Sequence, residues 1–305
     1  MTLYRAAWII YAVYRTPDER FDDLPGFDFT PHYRDWEGMR LAHIDEGGGA
    51  PVVLIHGVPT WSYLWRKVID PLVEAGHRCI APDLPGFGRS DKPEDGWHTY
   101  DRLTASIVAL FEELDLTDVT LVVHDWGGPI GLRAATTGIA DRVSRLVIMD
   151  SGLFTGYQKM GNAWQMFRDF IDSNPDLPIG TLVNAACVTD LPPEIVAAYE
   201  APFPTSDSKA GPRTLPALIP QTPDAPGAAE GRAAVEALAT DGRPILLLWA
   251  DSDMVLPLDP TGRAMEKAFP VSEPLHVIEG AGHFLPEDQG AVIGATIADW
   301  LTRIN

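Results

Sequence analysis

The run Leu121-Val122-Val123-His124-Asp125-Trp126-Gly127-Gly128-Pro129-Ile130-Gly131 admits few folds. Its apolar, β-branched start reads as a buried strand, the polar pair His124-Asp125 ends it, and the paired glycines open a segment of helical character. Strand, sharp turn and helix follow one another directly, with Asp125 on the turn. Such an elbow holds one side chain at the end of a sheet, beside the N–H groups and positive dipole end of the helix. The serine version of this turn reads G-x-S-x-G; here Val123 stands at the first glycine and Asp125 at the serine. A carboxylate attacks through an oxygen that is already ionised, so it can displace a leaving group from carbon without a base, and water must then cleave the resulting ester. Asp125 also has a plainer reading, as a cap on the helix that follows, and the elbow by itself leaves both open.

The flanking pattern supplies the sheet. Continuous apolar runs at 51–55, 78–82, 119–123, 145–149, 244–249 and 275–278 predict buried strands, and residues 40–46 predict an earlier one. Helical spacing at 60–74 and 100–114, with a closing helix at 287–304, alternates with them. That alternation implies an α/β fold with a mainly parallel sheet covered on both faces. A chain of 305 residues, 46% apolar, is long enough for one large α/β domain with an insertion. Between residues 152 and 221 the alternation lapses into prolines, aromatics and short helical pieces such as Trp164-Gln165-Met166-Phe167-Arg168-Asp169-Phe170-Ile171. The expected organisation is therefore a core of residues 1–151 and 222–305 with an inserted helical cap at 152–221. A cap over the strand ends would exclude water and supply most of a substrate pocket.

Several function classes recede. A net charge of −20, from 23 Lys and Arg against 43 Asp and Glu, disfavours nucleic acid and anionic membranes as partners. Cys79 and Cys187 form neither a disulfide framework nor a metal-ligand cluster, and read as core thiols. Residues 1–14 are apolar and aromatic but lack a membrane-length run and a small-residue cleavage site, so a cytoplasmic location is expected. Gly86-Phe87-Gly88 lacks the third glycine of a dinucleotide loop and the Gly-Lys-Ser/Thr of a phosphate loop; it reads as a structural turn.

A turn nucleophile needs a base, an acid to orient that base, and donors for the oxyanion. His283 follows the last predicted strand in Gly280-Ala281-Gly282-His283, while Asp150 and Asp253 follow two earlier ones. Nucleophile, acid, histidine is the chain order of hydrolases built on such an elbow, and either carboxylate can reach the same edge. Val58, just beyond the strand at 51–55, lies where open α/β sheets bind ligands; its N–H and that of Trp126 are the expected oxyanion donors.

These residues resemble the α/β-hydrolase superfamily over nearly the whole chain, and within it the haloalkane dehalogenases. The specific segments are Arg15-Thr16-Pro17-Asp18-Glu19-Arg20-Phe21, His56-Gly57-Val58-Pro59-Thr60-Trp61-Ser62-Tyr63-Leu64-Trp65-Arg66, His124-Asp125-Trp126-Gly127 and Ala201-Pro202-Phe203-Pro204. The resemblance implies an eight-stranded, mostly parallel sheet under a helical cap. It also implies Asp125 as nucleophile, His283 as the base that activates water, and Asp253 as the acid that orients His283. Another branch keeps its acid where this chain has Asp150. Halide would be held by the indole of Trp126 and by a cap tryptophan, Trp164, with Phe167 one helical turn away as the other candidate for that position. No cofactor or metal is implied; the expected partners are a small apolar halogenated substrate, halide ion and water, in a monomer or weak homodimer. An epoxide hydrolase shares the nucleophile and base but needs two cap O–H donors, for which Tyr157 and Tyr199 are candidates. A fluoroacetate-type dehalogenase would need arginines beside the nucleophile. A non-catalytic receptor on the same fold is the third alternative.

Overall fold

The computed structural model describes residues 12–160 and 162–304, so the N-terminal stretch discussed above lies, apart from its last three residues, outside the described part. The strands are β1 (Val13–Tyr14), β2 (Pro31–Trp36), β3 (Met39–Gly47), β4 (Pro51–Ile55), β5 (Arg78–Pro82), β6 (Lys92–Pro93), β7 (Val119–Asp125), β8 (Val143–Ser151), β9 (Ile245–Ala250) and β10 (His276–Ile278). Strands β1 and β6 make a short antiparallel pair, and the other eight form one sheet in the order β10-β9-β8-β7-β4-β5-β3-β2. From β5 to β10 every neighbouring pair is parallel; β3 pairs with β5, and β2 with β3, in the antiparallel sense.

The central strands are buried on both faces, as their unbroken apolar runs require: Val52 to Ile55, Leu121 to Val123 and Ile245 to Ala250 are all inaccessible to solvent. Helices α1 (Arg66–Glu74), α2 (Tyr100–Glu113) and α3 (Gly127–Ala135) follow β4, β6 and β7. Helix α2 buries Leu103, Ile107, Leu110 and Phe111, one stripe at helical spacing, and begins at Thr99, whose side chain accepts the Arg102 N–H. Helices α4 (Asn162–Ser173), α5 (Ile179–Ala185), α6 (Pro193–Glu200) and α7 (Ala210–Thr214) occupy the expected cap region, where the described residues contain no strand after Ser151. Helices α8 (Ala228–Ala239), α9 (Arg263–Ala268) and α10 (Leu285–Ile304) complete the core. No helix of the described residues is long and apolar enough to cross a membrane.

The helical region expected as a cap is held to the rest of the chain through α6. Tyr199 of α6 donates to Glu287 Oε2 at 2.6 Å, and Glu287 also takes a bidentate pair from Arg66 at 2.6 and 2.8 Å and a bond from Lys67 at 2.8 Å. Lys209 bridges Asp176 and Glu200 at 2.6 and 2.8 Å.

The structure departs from the sequence pattern at several points, the short β1–β6 pair among them. Strand β2 was not foreseen, because Pro31-His32-Tyr33-Arg34-Asp35-Trp36 shows no apolar alternation; it is an edge strand whose one fully buried side chain is Arg34. The predicted helix at 60–74 is split into a 3-10 turn (Ser62–Trp65) and α1, since Asp83 Oδ1 accepts the Ser62 N–H at 2.8 Å and fixes the turn. Strand β7 continues through the polar pair, because His124 and Asp125 still pair with Met149 and Ser151 of β8. The Gly86-Phe87-Gly88 segment is a turn stitched by Asp83, whose Oδ2 accepts the Arg89 N–H at 2.8 Å, and by Lys92 Nζ on the Gly88 carbonyl at 2.7 Å.

Candidate active site

Five segments leave the carboxyl ends of parallel strands on one edge: those after β4, β7, β8, β9 and β10. This is the edge where an open α/β sheet places its ligand, and the sequence-predicted Val58, Asp125, Trp126, Asp150, Asp253 and His283 all lie there.

Asp125 ends β7 with φ of 48°, a left-handed conformation that side chains other than glycine seldom adopt. The surrounding structure holds it: its carbonyl accepts Ser151 Oγ at 2.5 Å and its Oδ1 accepts the Val58 N–H at 2.6 Å. The approach demands small neighbours. A methyl group at Gly57 would sit 2.2 Å from Asp125 Oδ1, and one at Gly127 2.2 Å from the Ile55 carbonyl. The loop carrying Val58 is itself fixed by His56, whose Nε2 accepts the Leu84 N–H at 3.0 Å, so that Nδ1 carries the proton and donates to the Gly57 carbonyl at 2.8 Å. The other expected donor, the Trp126 N–H, stands at the start of α3.

His283 Nε2 lies 3.4 Å from Asp125 Oδ2, and His283 Nδ1 donates to Asp253 Oδ2 at 2.8 Å. Asp253 Oδ1 accepts two further N–H groups, from Val255 at 2.6 Å and Leu256 at 3.0 Å. Burial opposes the charge on Asp253, but His283 and these donors outweigh it and hold the carboxyl below its ordinary value. Burial likewise opposes a charged His283, yet the carboxylates of Asp253 and Asp125 on either side raise it well above an ordinary imidazole.

Asp150 joins this group. It is buried at the end of β8, and one oxygen of Asp150, one of Asp253 and a ring nitrogen of His283 lie within 4.8 Å of one another. Two carboxylates and an imidazole resemble a metal site in composition, but His283 Nδ1 and Asp253 Oδ2 are bonded to each other rather than aimed at a common centre.

Sequence reasoning gave His124 no role. Its ring packs 5.2 Å from that of His283, and burial lowers it to about 4, so it is neutral and donates through Nε2 to the His283 carbonyl at 2.7 Å. The available signal was its place beside the nucleophile, one residue back along β7.

Asp125 and His283 form the polar end of a cavity of about 270 Å³ whose walls include Trp126, Phe154, Met160 and Leu182. Trp164 and Phe167, three residues apart on α4, both line it. The Trp164 Nε1 is buried and has no hydrogen-bond partner, whereas Phe167 offers no donor. No lysine or arginine is among the described lining residues, so nothing there suits a substrate carboxylate. The two tyrosines that epoxide chemistry would need are elsewhere: Tyr199 is bonded to Glu287, and Tyr157 is 68% exposed beside Arg232. A larger depression, about 580 Å³, lies at Asp101, Glu112, Arg133 and Glu230 and contains none of the site residues.

A family model described as alpha/beta hydrolase fold matches residues 50–289. Among curated proteins, the haloalkane dehalogenase of Mycobacterium marinum is 42% identical, over 94% of this chain and 99% of that protein. The haloalkane dehalogenase of Psychrobacter cryohalolentis is 40% identical, over 95% and 98%. Among solved structures, the tetrameric haloalkane dehalogenase DpaA from Paraglaciecola agarilytica superposes with a TM-score of 0.88 at 33% identity, covering 93% of this chain and 97% of that one.

Proposed function

The chain belongs to the haloalkane dehalogenases of the α/β-hydrolase fold, hydrolases acting on carbon–halogen bonds, and from that premise we propose how its residues divide the reaction. Asp125 is the nucleophile. With Oδ1 held by the Val58 N–H at 2.6 Å, Oδ2 attacks the halogen-bearing carbon; a C–O bond forms as the C–X bond breaks, and halide leaves with the bonding pair. Trp126 and Trp164 receive the halide through their indole N–H groups, which bond an anion while their rings keep the pocket apolar. The support for Trp164 over Phe167 is its buried indole nitrogen without a partner, in a residue that lines the same cavity as Asp125 and Trp126.

Hydrolysis follows from the electrostatics. While Asp125 is a carboxylate, it and Asp253 favour the imidazolium form of His283. Esterification removes the Asp125 charge, so the His283 pKa falls and its proton passes to solvent. Neutral His283 then takes a proton from water, and the hydroxide oxygen attacks the Asp125 carboxyl carbon. The oxyanion is held by the N–H groups of Val58 and Trp126, and its collapse releases alcohol and restores carboxylate and imidazolium. One halide, one alcohol and one proton leave per water consumed.

A cavity of about 270 Å³ lined mainly by apolar side chains suits a short haloalkane. The cap at 152–221 belongs to the same reading, since α4 and α5 supply Trp164, Phe167 and Leu182 to the cavity wall. So does a cytoplasmic location, in keeping with two free cysteines, Cys79 and Cys187.

The observation that carries the assignment is Asp125 between the Val58 N–H and His283 at the polar end of an apolar cavity. It is tested by bromide release from 1-bromobutane and 1,2-dibromoethane. Asp125→Asn abolishes release; His283→Phe releases one equivalent per site and stops with the alkyl group bound to Asp125, seen by mass spectrometry. Continued turnover by His283→Phe, or bromide release by Asp125→Asn at the wild-type rate, refutes it.

A further inference from the structure

The carboxyl group of Asp150 has no role in the chemistry above, yet it is held tightly beside the site. It is fully buried at the end of β8, with φ of 33°, a strained value kept only where the surroundings impose it. Its Oδ1 accepts the Ala250 N–H at 3.0 Å, and its Oδ2, equally buried, has no donor pointed at it. An ionised carboxylate with an unsolvated oxygen is among the costliest groups to bury. Asp253, within 4.8 Å, has the opposite surroundings: three donors, from Val255, Leu256 and His283. Two carboxyl groups this close do not both ionise readily, and the donors decide which one does.

We propose that Asp150 is a neutral carboxylic acid whose Oδ2–H is held against the Asp253 carboxylate, making it a positioning residue that sets the strength of the His283 base. The inference rests on the reading of Asp253 and His283 given above. Burial first, and the Asp253 charge second, push Asp150 well above the ordinary carboxylate range, which agrees with the geometry. The titratable groups bearing on it are Asp253 and His283, with Asp125 and His124 of β7 beyond the His283 ring. A hydrogen bond from a neutral acid draws charge from Asp253, so the carboxylate grips the His283 proton less firmly. In the ester state that proton has to leave before water is attacked. Asp150 thus keeps His283 from being too basic to become a base.

The alternative, an ionised Asp150, predicts shifts of opposite sign. The first readout is the infrared carbonyl stretch of a neutral carboxylic acid at mildly alkaline pH, present in wild type and missing from Asp150→Asn. The second is the pH dependence of alkyl-ester decay in single turnover, which rises as His283 loses its proton. Asp150→Asn, a neutral donor of the same shape, keeps the wild-type midpoint. Asp150→Leu, without a donor, moves it up by about one pH unit. Absence of the carbonyl band, a downward shift in either variant, or no shift in Asp150→Leu overturns the proposal. If Asp150→Leu does not fold, the infrared band and Asp150→Asn still decide. Failure of the underlying reading looks different: ester decay in His283→Phe would then proceed at the wild-type rate, whatever the carbonyl band shows.

Discussion

Replacing Trp164 with phenylalanine tests the halide site most directly. The indole nitrogen is buried and has no protein partner, and Trp164 lines the cavity together with Asp125 and Trp126, so on the proposed reading its hydrogen bond is made to the halide. Hydrogen bonds to charged groups contribute about 1.5–3 kcal/mol, and at ~1.36 kcal/mol per tenfold in rate a full bond corresponds to about 10- to 150-fold. Because halide carries only part of its charge in the transition state, the lower part of that range is expected for kcat/KM, with bromide inhibition weakened by the larger factor. The smaller ring also enlarges the pocket, so a control is needed that trims the same wall without touching a donor. Phe167→Leu does that, one helical turn along α4, and should change kcat/KM by less than about threefold, the cost of a modest loss of apolar contact. Bromide release from 1-bromobutane, measured for both variants together with bromide inhibition, reads the result. If Trp164→Phe stays within about twofold of wild type, or Phe167→Leu loses as much, the second donor is not Trp164.

Two other outcomes follow from the charges. The decay of the alkyl ester should slow as pH falls through the pKa of His283 in that state, because the imidazolium cannot accept a proton from water; rapid-quench measurement across neutral pH reads the limb, and a flat profile refutes the base. Glu287 is buried with Arg66, Lys67 and Tyr199 around it, so Glu287→Ala should cost about 3–5 kcal/mol in denaturant unfolding by stranding the Arg66 charge. Burial opposes the Glu287 charge, but its partners hold the carboxyl below its ordinary value, so the stabilisation this group provides is present at neutral pH and disappears as pH falls through the folded-state pKa.

What was legible in the sequence depended on how local the signal was. The buried parallel strands announce themselves as apolar runs, and the elbow needs only its own residues, so β4, β5, β7 and the position of Asp125 were readable. Strand β2 was not, because its partners are the residues of β3 across a hairpin and its inward side chain is an arginine. The cap helix could be foreseen but not its rotation; only the fold reveals that residues 164 and 167 both face the cavity. Asp150 was readable as a strand-end carboxylate on the same edge as Asp253, but its bond to the Ala250 N–H was not. His124 is the hardest case: its partner is His283, 159 positions away, and nothing within its own segment signals that neighbour. Likewise, the Glu287 anchor joins α1, α6 and α10 through bonds that no sequence window spans.

The walls of the cavity contain no lysine or arginine among their described residues, and this shapes the end of the catalytic cycle as much as its beginning. A fixed cation about 4 Å from the halide would attract it by roughly 4 kcal/mol at an effective dielectric of ~20, enough to slow its escape by about a thousandfold. Neutral indole dipoles grip an anion only while water is kept out; once water reaches it, hydration competes on nearly equal terms. In a protein of net charge −20 the surrounding field also favours departure. On the proposed halide site, product release is then governed by when water is admitted to the cavity, so the walls that would select the substrate would also set the tempo of turnover.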